Sequence, residues 1–137
     1  MTFPFELHTP YHLFYKGAAE LVSLTIADGE IAIMAGHSAV TAPVKTGILK
    51  IKDGKGSWKT AFISDGILEV KEHNTVVLSE AAEWSNEIDR DRALKAKAAA
   101  EELLKEGSFR FEIDKAASSL RRAEVRLKVW ELEHNKP

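Results

Sequence analysis

The 137-residue chain contains no cysteine. That excludes a disulfide framework, a thiolate metal site and a cysteine nucleophile, and it fits a reducing compartment. No apolar run approaches the ~18–20 residues that a membrane span needs, so direct membrane insertion is not expected. No basic stretch precedes Thr2-Phe3-Pro4-Phe5, and Glu6 and His8 interrupt the apolar run, so a secretory leader is not expected either. Together these absences predict a soluble, cytoplasmic chain. Arginine is missing altogether up to Trp84, where 7 lysines face 10 acids; from Ser85 onward, 12 lysines and arginines face 11 acids. The net charge of −2 argues against a nucleic-acid partner. Arginine offers a fixed fork of donors for carboxylate or phosphate, so its confinement suggests that anion recognition lies in the C-terminal part. The simpler alternative is a solvated helical face.

Glycine and proline are scarce beyond Trp84, where only Gly107 and Pro137 occur. That shift places a boundary near Ala82–Glu87 and predicts two domains, 1–84 and 85–137. In the first, Leu21-Val22-Ser23-Leu24-Thr25-Ile26 alternates so that Val22, Leu24 and Ile26 can face a core. Gly47–Ile51, Trp58–Ile63, Ile67–Val70 and Thr75–Leu78 read as further strands. They are separated by Asp53-Gly54-Lys55-Gly56, Asp65-Gly66 and His73-Asn74, residues that tolerate turn geometry. Many short strands with such punctuation predict a sandwich or flattened barrel.

The second part changes period. Ala93, Ala96, Ala100 and Leu103 recur at three and four residues, as do Ile113, Ala116, Leu120, Ala123, Leu127 and Trp130. With Gly107-Ser108 as the break, this predicts an antiparallel helical hairpin with an alanine-rich seam. Each alanine buries little area, so at ~25 cal/mol per Å² the seam stabilises the pair only weakly, and the hairpin is expected to be able to open.

The charged residues of the hairpin are the chemistry-bearing candidates. Asp89 is placed to cap the first helix, and Arg92 lies three residues on. Arg122 and Arg126 stand one turn apart on the second helix, where like charges repel unless an anion lies between them. With Glu83 just upstream, this set makes a chemically sensible cradle for a triphosphate without a glycine-rich loop. On spacing alone the plainer reading is a set of solvent-facing pairs such as Asp89–Arg92. His8 and His12 are four apart, but Pro10 forbids a helix between them, so no metal pair is expected. His37 has no partner acid or nucleophile at readable spacing. Trp58, Trp84 and Trp130 read as packing residues rather than stacking platforms.

The ordered set Asp28-Gly29-Glu30-Ile31-Ala32-Ile33, Gly36-His37, Gly47-Ile48-Leu49, Gly66-Ile67-Leu68-Glu69-Val70, then Ile88-Asp89 with Arg92-Ala93, and Arg126-Leu127-Lys128-Val129, resembles the epsilon-subunit family of the bacterial rotary proton-translocating ATP synthase. The similarity covers nearly the whole chain. It implies a ten-stranded β-sandwich (1–84) that binds the gamma subunit and the c-ring, followed by a regulatory two-helix hairpin (85–137). A member would be a non-catalytic central-stalk subunit, peripheral on the cytoplasmic face of the membrane. It would couple proton-driven rotation to ATP synthesis and regulate hydrolysis by the alpha/beta hexamer, and it would be monomeric when isolated. The resemblance assigns regulatory ATP to Glu83, Asp89, Arg92, Arg122 and Arg126, with no required cofactor and no metal. It assigns stalk contacts to Glu30 and His37, and inhibitory contacts to Arg121, Arg122, Arg126 and Lys128. Two departures stand out: Ala99 replaces an arginine of strong ATP binders, and Met34-Ala35-Gly36-His37-Ser38-Ala39 has alanine where the family loop has prolines. The rival reading is a ligand- or peptide-binding sandwich whose hairpin dimerises. An enzyme is disfavoured, because no nucleophile–base constellation can be assembled.

Overall fold

Leu13–Ile26, a strand of 14 residues, organises the N-terminal part of the computed structural model, which describes residues 1–107 and 109–135. The strands in chain order are β1 (Phe3–His8), β2 (Leu13–Ile26), β3 (Gly29–Ile33), β4 (Val40–Val44), β5 (Gly47–Asp53), β6 (Trp58–Ile63), β7 (Gly66–Lys71), β8 (Asn74–Ser79) and β9 (Ala82–Trp84). The hydrogen-bonded order is β1-β8-β7-β4-β2-β5-β6-β9, with β3 on β2 and a further β1–β2 pairing. β1 runs parallel to β8, and every other pairing is antiparallel. β2 therefore serves both layers of a β-sandwich: its first half pairs with β1, its second half with β3 and β5. The described residues form nine strands rather than the expected ten, because two pairing roles fall on this one unbroken strand. Register shifts at Leu7/His8 and Ala19/Leu21 let it pass between the layers.

Alternation fills the core. Val22 and Leu24 on β2, Leu49 and Ile51 on β5, Leu68 and Val70 on β7 and Phe5 and Leu7 on β1 are buried together. Polar groups caught inside are paired. The Thr46 N–H and hydroxyl both donate to Asp65 Oδ1, at 2.8 and 3.0 Å, tying the β4–β5 connection to the β6–β7 turn. The Ser79 hydroxyl lies 2.9 Å from the Ser64 carbonyl and 2.8 Å from that of Ala81. Among the described residues no buried side-chain nitrogen or oxygen lacks a partner.

Contacts divide the chain into two units, the first ending at Trp84 and the second beginning at Ser85. The second comprises a 3-10 turn (Ser85–Glu87), α1 (Arg90–Glu106) and α2 (Arg110–His134), with the two helices packed on one another as a hairpin. α1 ends at Gly107, whose N–H reaches the Leu103 carbonyl at 2.7 Å; Ser108, the other half of the expected break, lies outside the described residues. The seam differs from the one read off the sequence. Ala93, Ala100, Ala116 and Ala123 are buried, but Ala96, Leu103 and Ile113 are exposed. The packed line of α1 runs Ala93, Lys97, Ala100, Leu104, with Lys97 and Leu104 half-buried. In a run this rich in alanine and leucine, steps of three and of four fit equally well until packing decides. Leu120, Leu127 and Trp130 are half-buried on α2, where Val129 is fully buried.

Candidate nucleotide site and interaction surfaces

Asp89 sits just before α1 with extended backbone angles, and its carboxylate accepts the Arg92 N–H at 3.1 Å. An aspartate here satisfies one of the helix's unpaired N–H groups and complements the positive end of its dipole. Arg92 is exposed, and Ala96 and Ala99 continue its stripe along α1, beside the buried Ala93–Ala100 line. On α2, Ala116, Ser119, Ala123, Arg126 and Trp130 succeed one another at helical spacing. Arg126 is thus a half-buried residue on a line of mostly small side chains. Arg122, also half-buried, donates to the Ser118 hydroxyl at 2.7 Å and the Ser119 hydroxyl at 3.4 Å. Its fork rests on neutral oxygens, which an anionic ligand would outcompete. Asp89 and Arg92 thus lie at the start of α1, Arg122 and Arg126 on α2, and Glu83 on β9 of the sandwich. The basic residues of α2 do not form one face: Arg121 and Lys128 are exposed, whereas Arg122 and Arg126 are half-buried.

Glu30 is exposed at the start of β3, after the Asp28-Gly29 turn. His37 is half-buried in the following connection, where its N–H closes a turn onto the Met34 carbonyl at 3.1 Å. Gly36 takes φ +85° within that turn, a conformation the missing prolines would not supply. The turn is thus hydrogen-bonded despite the alanines at positions 35 and 39. His37 Nδ1 lies 2.7 Å from the Ser38 carbonyl, which makes that nitrogen the N–H donor of the ring.

Two surface features escaped sequence reasoning. Ile67 and Leu78 face one another across β7 and β8 yet are about half exposed, at 47% and 52%. With His8, Thr9 and Pro10 they line a hollow of about 540 Å³. The signal was present, since both residues fall out of phase with the buried Leu68 and Val77. The second is an aromatic cluster on the sandwich: Trp84 stacks on Phe14 with centroids 4.3 Å apart and meets Tyr15 edge-on, while the Lys59 ammonium lies 5.6 Å from the Trp84 ring. Burial first, and then the nearby Asp53 charge, raise the Tyr15 pKa. Trp58 is half exposed beside Lys52. Among the described residues no helix is long and apolar enough to cross a membrane.

A β-sandwich followed by a helical hairpin that carries a capping acid and two half-buried arginines defines a two-part protein of sandwich and hairpin. Residues 2–85 match the model of the β-sandwich domain of the ATP synthase delta/epsilon chain, and residues 86–131 that of its long α-helix domain. The chain is 42% identical to the ATP synthase epsilon chain of Caldicellulosiruptor saccharolyticus, over 97% of this chain and 96% of the relative. It is 43% identical to that of Caldanaerobacter subterraneus, over 93% of each. A chain in the structure of the Euglena gracilis mitochondrial ATP synthase superposes with a TM-score of 0.83 at 18% identity, covering 98% of this chain and 81% of that one. The chain belongs to the ATP synthase epsilon-chain family, and as such is a non-catalytic component of that complex.

Proposed function

We propose that this chain is the central-stalk subunit that couples proton-driven c-ring rotation to ATP synthesis, at the cytoplasmic face of the cell membrane, and that its hairpin regulates ATP hydrolysis in an ATP-sensitive way. The observation that carries the coupling role is the match of both halves, in order, to epsilon chains along nearly their full length. A chain in the Tetrahymena thermophila structure described as the central stalk and c-ring of its mitochondrial ATP synthase has the same fold, with a TM-score of 0.68 at 13% identity. On the sandwich, the apolar hollow at Ile67 and Leu78 suits the gamma subunit, and Glu30 with His37 suits the c-ring. An exposed apolar patch of this kind marks a protein contact. Copurification with gamma and the c-ring tests this. Ile67→Asp should abolish recovery of gamma, and unchanged recovery would remove the hollow from the interface.

The regulatory role rests on Arg122 and Arg126. Half-buried on α2, they can bind the phosphates of ATP while the hairpin is closed; uncovered by opening, with Arg121 and Lys128, they suit an acidic surface of the alpha/beta hexamer. One set of guanidinium groups cannot serve both anions, so ATP favours the closed, non-inhibitory state through its differential affinity. At ATP 100-fold above its dissociation constant that bias is ~2.7 kcal/mol. Asp89 and Arg92 complete the hairpin's contacts, and Glu83 is tested separately as Glu83→Gln. Calorimetry on the isolated, monomeric subunit should show ATP binding. Arg122→Ala and Arg126→Ala should each weaken it by ~1.5–3 kcal/mol, and Ala99→Arg, at an exposed position on the Arg92 stripe, should tighten it. Absence of binding at millimolar ATP would leave the arginines as contacts to the hexamer alone.

A further inference from the structure

The two ends of the hairpin are built differently. Around the connection between the helices, Leu103, Phe109, Phe111 and Ile113 are exposed. At the opposite end, where α1 begins and α2 finishes, the contacts are specific. The Arg90 guanidinium lies 5.2 Å from the centre of the Trp130 ring. The His134 ring stacks on Trp130 with centroids 3.8 Å apart and planes 13° apart, and its Nδ1 lies 2.9 Å from the Trp130 carbonyl. The Ser85 hydroxyl, buried in the 3-10 turn, donates to Glu133 Oε2 at 3.1 Å.

The signs of these charges are informative. A helix favours acids at its N-terminus and cations at its C-terminus. Arg90 is the first residue of α1 and Glu133 lies in the last turn of α2, so each opposes the dipole of its own helix. In an antiparallel pair the preference reverses. Arg90 then lies beside the negative end of α2, over an electron-rich indole face, and Glu133 lies on the Ser85 hydroxyl, in the 3-10 turn that leads into α1. Both charges are misplaced for either helix alone and well placed for the closed pair.

We infer that Arg90 on Trp130 and Ser85 on Glu133 form a clasp, with His134 stacked on the Trp130 ring within α2, that holds the hairpin closed at its open end, and that this clasp, more than the alanine seam, sets the closed population. The inference rests on the proposed opening of the hairpin for its consequence, whereas its test reads the isolated chain without ATP. Opening separates Arg90 from the Trp130 ring and Glu133 from the Ser85 hydroxyl, and each is left against its own dipole. The closed state therefore gains from the clasp while the open state is penalised by the same two residues.

Because the chain has no cysteine, spin labels can be placed cleanly at the exposed positions Lys95→Cys and Leu132→Cys, and the distance distribution between them read by double electron–electron resonance. Arg90→Gln and Ser85→Ala should each raise the open-to-closed ratio by roughly three- to tenfold. The charge exchange Arg90→Glu with Glu133→Arg is the sharper variant: it suits each helix separately and undoes the clasp. It should raise the ratio further while helicity by circular dichroism stays level or increases. Lys115→Ala, exposed elsewhere on α2, should leave the distribution unchanged. A charge-exchanged chain with the parent's distance distribution and intact helicity overturns the clasp. Calorimetry with ATP on the same variants separates this from the nucleotide reading, since a clasp that responds in a chain that never binds ATP refutes only the latter.

Discussion

The Asp89 carboxylate receives the backbone N–H of Arg92 at 3.1 Å, so the acid and the arginine of the helix-opening motif meet through the main chain. The same carboxylate is therefore an N-cap and, by proposal, a nucleotide contact, and two substitutions separate the roles. Asparagine caps as well as aspartate, whereas alanine does not. Asp89→Ala should cost about 1 kcal/mol of helix stability, read as a lower thermal midpoint of the hairpin, and Asp89→Asn should cost little. If Asp89 also binds nucleotide through its charge, Asp89→Asn should still lower ATP affinity in calorimetry.

Gly66 opens β7 opposite Ser79 of β8, and a Cβ placed there would collide with the Leu78 carbonyl oxygen. The neighbour is backbone and cannot swing aside, so Gly66→Ala must force the two strands apart. Overpacking of this kind costs about 1–3 kcal/mol or more, visible as a reduced urea midpoint with an unchanged slope. The same shift would disturb the hollow at Ile67 and Leu78, so gamma recovery should fall with it.

Asp53 accepts the backbone N–H groups of Ser57 and Lys55, at 3.0 and 2.8 Å, and these bonds hold its pKa below the usual carboxylate value. The folded state thus favours the ionised form. Its contribution is complete above the unfolded carboxylate's pKa, about 4, and fades as pH falls through the lower folded value. Asp53→Asn should lower the unfolding midpoint at pH 7, and the gap to the parent should narrow on acidification to pH 3. A gap that stays constant would mean that the β5–β6 turn does not depend on the charge.

Strands β5 to β8 were legible because alternation and turn residues agree in them. β1 and β4 were not, and proline is the reason. Pro4 and Pro43 each lie within a strand, near its end, where a missing N–H argues against a ladder. Both are exposed, with Phe5, Leu7, Ala42 and Val44 pointing inward around them. β9, at three residues, is too short to carry a period. In the site, Asp89 was legible as a cap from chemistry alone, and the Arg122–Arg126 pair from spacing. The neutral hydroxyls under Arg122 and the opposed charges at Arg90 and Glu133 depend on side-chain direction and on the antiparallel partner, which one helix's sequence does not encode.

Leu103 and Leu104 are adjacent, and the seam selects Leu104. An apolar period counted from Ala93 in steps of three, four and three arrives at Leu103, whereas the packed line of four, three and four arrives at Leu104. Leu103 is 52% exposed and Leu104 half-buried, so their truncations should differ in a fixed order. Leu103→Ala should change stability by no more than about 0.5 kcal/mol. Leu104→Ala should cost roughly 1–2 kcal/mol, less than the ~2–5 of a fully buried leucine, because only part of the side chain leaves water. Thermal unfolding of the isolated chain ranks the pair. In the assembled complex, Leu104→Ala should favour the open hairpin, so hydrolysis should be more strongly inhibited and ATP should relieve less of that inhibition. A larger loss from Leu103→Ala than from Leu104→Ala would mean that the helices pack in the other register, and a Leu104→Ala complex inhibited like its parent would separate seam strength from the switch.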